Sequence, residues 1–308
     1  MASIGSILGG TFRLFRERPA TVAVWALVYV AVGLGTGLLM RSQMQSMLAN
    51  PGTVEPGTGP LAVFGWMIIP LWVAMALFYA VMFCAVFRAM LRPSESSFAF
   101  LRLGMDELRM IGLALLLVVA FFVFGLIFML LMTVVTAGLV AATGGGMAAI
   151  AVVLLIQLAC LLGMIYLWVR LSLIFPVSFV RRRMAVDEAW GLTRGRFWML
   201  FLAYLVIWVI TIALILIVIW PYMAPYFQLA AQGIRDPVAI QQLQQDQLEK
   251  QLNMPFAMML WMGLLNALIG FVAQLLGAGV TASATHDLLL ESGEMLEDDA
   301  ENTAAIFE

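Results

Sequence analysis

Residues Phe197–Trp220 read FWMLFLAYLVIWVITIALILIVIW, an uncharged run in which sixteen residues are Leu, Ile, Val or Phe. A 30 Å hydrocarbon core needs about 20 helical residues at 1.5 Å rise each, so the run is long enough to cross it. At about −0.3 to −0.6 kcal/mol per such residue, insertion contributes roughly −5 to −9 kcal/mol. Trp198 and Trp220 flank the run, where amphipathic rings favour the two lipid–water interfaces. Lipid offers no partner to an unpaired backbone amide, so the conformation must be helical.

Five further runs meet the same length, at 20–40, 61–87, 111–141, 147–169 and 254–284. Composition agrees: 64% hydrophobic and 11% charged residues leave too little polar surface for a soluble 308-residue globule. The expected fold class is all-α and polytopic, with one transmembrane domain over 1–290. Residues 291–308 are acidic, contain no Lys or Arg, and read as a disordered cytoplasmic tail.

Orientation follows from charge placement. Thirteen of the sixteen basic residues fall in three short stretches, 13–18, 88–109 and 170–196, against Arg41, Arg235 and Lys250 elsewhere. Arginines remain on the cytoplasmic side, so both termini are expected there. The first apolar run, about 21 residues, is longer than a signal-peptide core and predicts an uncleaved anchor.

The chain then reads as three hairpins, with short amphipathic cytoplasmic helices before the first, third and fifth spans. Ile4, Leu8, Phe12 and Phe15 would form the apolar face of the first of these, and Phe98, Leu101, Met105 and Leu108 that of the second. The third carries Ala189, Trp190 and Phe197, with Asp187 as its expected N-cap and Gly195 and Arg196 where the chain bends into the membrane. Such helices suit the headgroup layer, where arginines reach lipid phosphates. The expected lipid or anion contacts are Arg13, Arg16, Arg102, Arg109, Arg170, Arg181, Arg182, Arg183, Arg194 and Arg196.

Arg170 has two readings. If the fourth helix ends there, its guanidinium snorkels to the interface and residues 171–180 form an interfacial segment broken at Pro176; this is the favoured reading. If the helix continues to Arg181, Arg170 becomes an anion or lipid-phosphate ligand at membrane depth. In the sixth span Asn266, Gly270 and Gln274 form a polar and small stripe, and Gln157 could meet it from the fourth. Helix packing explains the stripe best, helped by small residues such as Gly33 and Gly37; a substrate-binding cavity is the alternative.

The remaining features carry less chemistry. Pro70 reads as a kink in the second span, and Gly144, Gly145 and Gly146 as an outside turn. That turn lacks the Lys of a phosphate-binding loop. Cys84 and Cys160 lie in apolar runs without partners at metal-ligand spacing. His286 ends the last helix. Asp106 with Glu107 and Asp187 with Glu188 fall at helix starts, where the dipole and arginine pairing account for them. Within 221–253 a surface helix is expected after Asp236 and Pro237, which form a start signal. No catalytic, cofactor or metal constellation is expected.

The run Arg170-Leu-Ser-Leu-Ile-Phe-Pro176, followed by Ala185-Val-Asp-Glu-Ala-Trp190-Gly-Leu-Thr-Arg194-Gly-Arg196-Phe-Trp198, resembles a bacterial six-helix membrane family. That family includes the membrane domain found beside some glycerophosphoryl diester phosphodiesterases. The resemblance implies a bacterial inner-membrane protein linked to lipids. It does not imply catalysis, because the phosphodiesterase activity of such fusions resides in a separate soluble domain. The expected function is therefore non-enzymatic, with a basic cytoplasmic belt contacting anionic lipids or a partner protein and no role for nucleic acid. A small-molecule or lipid transporter with a cavity between the hairpins is the alternative.

Overall fold

The computed structural model describes residues 3–49, 60–94, 98–102, 104–144, 146–231, 238, 242–243, 246, 249–250 and 253–293. The acidic tail beyond Gly293, the loop at 50–59, Gly145 and the expected helix start at Asp236 and Pro237 lie outside them. Among the described residues there is no strand. The helices are α1 (Ile4–Glu17), α2 (Pro19–Ala49), α3 (Pro60–Leu91), α4 (Met105–Thr143), α5 (Met147–Leu171), α6 (Ile174–Arg181), α7 (Val186–Leu192), α8 (Phe197–Ala231) and α9 (Phe256–Ser292).

Six of these, α2, α3, α4, α5 running into α6, α8 and α9, provide segments long and apolar enough to cross a membrane. They define a multi-pass helical membrane protein. Several are longer than the apolar runs alone require. The last helix continues to Ser292, and α8 passes Trp220, Pro221 and Pro225 to reach Ala231. Pro70 lies inside α3 without ending it. Gly144, with φ +66°, closes α4, and Gly146 precedes α5. Glycine suits the first position because a Cβ there would be strained.

The helices before the spans differ from one another. The first is α1, whose buried residues are Ile7, Thr11 and Leu14, while Phe12 is exposed. Its inward face is thus offset from the Ile4–Leu8–Phe12–Phe15 face, because the tightest packing selects small and mid-sized residues. In the second stretch the described residues Phe98–Phe100 form a left-handed turn where a helix was expected, and the exposed Met105 and Leu108 already belong to α4. The third is α7. Its N-cap position is Ala185, whose N–H donates to Ser178 Oγ at 3.0 Å, and Asp187 lies within the first turn without a capping bond. Gly195, at φ +76°, makes the bend from α7 into α8.

The chain divides into two compact units. The first comprises Met1–Gly10, Ala76–Ala203 and Gly279–Glu308. Within it α4 packs on α5 and α6, and α7 on α5 and α6. Leu113, Val169, Leu173, Ile174, Val177, Phe179, Ala189 and Leu200 form the apolar core there. Away from that core α4 and α5 are open: beyond Leu113 the only described buried residue of α4 is Met132, and no described residue of α5 is buried before Val169. Exposed apolar faces of this extent belong in lipid.

The second unit comprises Thr11–Met75 and Tyr204–Ala278. In it α2 and α9 meet along small residues. A Cβ on Gly33 would stand 3.1 Å from Ala267 Cβ, one on Gly263 2.8 Å from Leu34 Cδ2, and one on Gly270 3.2 Å from the Tyr29 hydroxyl. Residues 263, 267 and 270 repeat at the spacing of a helix-packing seam, where small residues let backbones approach. Tyr29 also packs on Phe271 with ring centroids 5.8 Å apart. The expectation of close helix approach holds at Gly33 but not at Gly37, which has open space around it.

Candidate functional site

Ten of the arginines fall in the first unit, and most are committed to internal partners. Arg88 and Arg92 lie four residues apart at the end of α3, so they share a face. Arg88 is completely buried; its Nη2 donates to Glu107 Oε1 at 2.6 Å and its Nη1 to the Phe100 carbonyl at 2.7 Å. That carbonyl is presented by a turn in which Ala99 and Phe100 both have positive φ, 49° and 58°. Left-handed backbone costs a residue with a Cβ about 1–2 kcal/mol, which the charge-assisted bond helps offset.

Arg92 reaches Asp106 Oδ2 at 3.5 Å and donates to the carbonyls of Phe179 and Val180, the latter at 2.9 Å. Those carbonyls belong to the last turn of α6, where a cation complements the helix dipole. The two guanidinium carbons stand 5.7 Å (Arg88) and 4.7 Å (Arg92) from the Phe179 ring centroid. Arg109 pairs with Asp106 at 3.1 Å. The acids at the start of α4 therefore serve arginine pairing, and the network ties α3, α4 and α6 together.

Other arginines are committed at the surface. Arg181 Nε lies 2.9 Å from Glu188 Oε2, Arg183 contacts the other oxygen of that carboxylate, and Arg196 meets Glu291 at 2.8 Å. Arg182 is exposed and closes α6 in the left-handed region. Outside this unit, Arg13 pairs with Glu17 one turn along α1. Burial lowers the pKa of Arg18, with Glu17 opposing the shift, yet its guanidinium stays charged.

Three of the expected contact residues are exposed and have no carboxylate partner among the described residues: Arg16, Arg102 and Arg194. Exposed tryptophans occur near the third of these in sequence and at the end of α5. Trp168 is 57% and Trp198 70% exposed, at the end of α5 and the start of α8 respectively. Arginine beside exposed tryptophan is the composition of a lipid–water interface.

Arg170 behaves differently from the favoured expectation. The helix does end nearby, at Leu171, but the guanidinium does not reach outward: the residue is 5% exposed and stacks over Trp190, 4.2 Å from the ring centroid. Residues 171–180 are largely turned into the protein. They lead into α6, where Ile174, Pro176, Val177, Ser178 and Phe179 are buried. Pro176 breaks nothing there, because it occupies the first turn, where a backbone N–H has no helical partner to lose.

The polar residues of the spans occupy unlike surroundings. Gln157 and Asn266 are exposed, whereas both amide atoms of Gln274 are buried without a hydrogen-bond partner. Gln274 follows Gly270 by one turn and so shares the seam face of α9; Asn266 lies off it. Cys84 is buried and Cys160 partly so, both as free thiols. His286 Nδ1 stands 3.4 Å from Asp287 Oδ1. Among the described residues no three His, Cys, Asp or Glu side chains converge as metal ligands would.

No family model, curated protein or solved structure matches the chain.

Proposed function

We propose that this is a non-enzymatic integral protein of a bacterial cytoplasmic membrane, with both termini inside, that engages anionic lipid through its arginine-rich segments. The supporting observation is the division among the arginines. Arg88, Arg92, Arg109, Arg181, Arg183 and Arg196 are neutralised internally, which leaves Arg16, Arg102 and Arg194 exposed and uncompensated. Cations in a headgroup layer attract anionic lipid at short range, and exposed Trp168 and Trp198 suit the same layer.

The test is thermal unfolding of the purified full chain in detergent supplemented with phosphatidylglycerol or phosphatidylcholine. Phosphatidylglycerol should stabilise the wild type more, and the triple variant Arg16→Gln, Arg102→Gln, Arg194→Gln should lose most of that difference. Equal stabilisation of the wild type by both lipids would overturn the proposal.

A further inference from the structure

Arg170 is buried without a counter-charge among the described residues. Its Nε is sealed from solvent and has no acceptor, no described carboxylate pairs with it, and its guanidinium stacks on Trp190. The Thr193 hydroxyl lies 3.4 Å from the Arg170 backbone carbonyl, so the turn after α7 is drawn onto the end of α5 without using the charged group. Arg88, equally buried, shows the contrast, since a carboxylate and a carbonyl both receive it. A guanidinium cannot shed its proton at any ordinary pH, and a buried ion without a partner is strongly unfavourable. Stacking on an indole offsets part of that cost, but it leaves the in-plane N–H donors unused.

We propose that Arg170 and Trp190 form a phosphate site that holds the phosphodiester of one membrane phospholipid. The indole covers one face of the guanidinium, so the open edge of the fork can meet two phosphate oxygens, the geometry in which arginine binds phosphate best. Helical spacing then supplies a course for the acyl chain. Gly163 and Ala159 lie seven and eleven residues before Arg170, within about 20° of its direction on the helix. Both are exposed, and nothing stands within 4 Å of a Cβ added at Gly163. Tyr166, Leu162 and Leu155 flank this strip and are exposed too. The result is a shallow apolar track running from a buried cation into the span. A free phosphate would use the cation and leave the track empty.

This inference rests on the membrane reading above but needs no general preference for anionic headgroups, since every phospholipid carries a phosphodiester. Native mass spectrometry of the full chain in mild detergent tests it, with phosphatidylglycerol, phosphatidylcholine, diacylglycerol and inorganic phosphate as separate probes. Both phospholipids should be retained at about one per chain, as a single fork-and-track site requires, and diacylglycerol should not. Arg170→Gln should lower retention about tenfold or more.

Gly163→Leu fills the track without touching the protein core; it should lower retention while unfolding at or slightly above the wild-type temperature, and it decides the matter if Arg170→Gln does not fold. The triple variant of Arg16, Arg102 and Arg194 should retain the lipid, which separates this site from the diffuse surface contact. Undiminished retention in folded Gly163→Leu and Arg170→Gln would overturn the proposal. Retention of inorganic phosphate in place of lipid would overturn the lipid assignment.

Discussion

Arg88 Nη2 lies 2.6 Å from Glu107 Oε1 with both side chains closed off from solvent, so two helices separated by a left-handed turn are joined through a charge pair in an apolar core. Arg88 Nε and Glu107 Oε2 have no further partner. The pair is therefore incompletely satisfied, and its main effect is to penalise any arrangement that separates the two charges.

Removing one partner should be severe. Glu107→Leu leaves the guanidinium buried with only the Phe100 carbonyl, and such an orphaned charge costs about 3–5 kcal/mol. The double variant Arg88→Met, Glu107→Leu should recover most of the loss. Thermal unfolding of the three variants in detergent checks this, and a double variant no better than the single one would contradict it.

The α2–α9 seam predicts opposite outcomes for two glycines one turn apart. Gly33→Leu forces atoms against Ala267 and should destabilise by about 1–3 kcal/mol through overpacking. Gly37→Ala meets open space and should stabilise by about 0.5–1 kcal/mol through helix propensity. The difference in unfolding temperature between the two is the measurement.

Gln274 and Gln157 should likewise separate. Gln274→Met replaces an unsatisfied buried amide with an apolar group of similar length and should raise stability by about 1 kcal/mol. Gln157→Leu alters an exposed position on α5 and should leave the unfolding temperature unchanged or slightly higher. A large loss in the Gln274 variant would show that its amide has a partner in the membrane.

Membrane orientation can be read with reporter fusions. A reporter at Gly144 should be active on the outer side and reporters at either terminus on the cytoplasmic side, as the distribution of arginines requires. The reverse pattern would remove the basis for assigning arginines to the inner leaflet.

The spans were legible because lipid imposes a single demand, some twenty apolar residues in a helix, and a run such as Phe197–Trp220 meets it without tertiary help. The sequence does not show which apolar face turns inward. In α1 the periodicity that places Phe12 with Leu8 is equally consistent with Ile7, Thr11 and Leu14, and only packing in the folded chain turns the latter set inward and leaves Phe12 exposed. Neither partnership that shapes the first unit is encoded locally. Nineteen positions separate Arg88 from Glu107 and twenty separate Arg170 from Trp190, so charge counting placed these arginines at helix ends without showing which were neutralised. The seam at Gly263, Ala267 and Gly270 shares Gly270 with the expected stripe but excludes Asn266, since only contact with α2 fixes the register.

The 39 residues of α4 make a rod of about 58 Å, nearly twice the thickness of a hydrocarbon core. Such a rod must lean steeply or protrude, and each option responds to how thick the surrounding membrane is. Thicker bilayers should let more of α4 stand within the acyl layer and thinner ones less, so the set of this helix depends on the membrane around it.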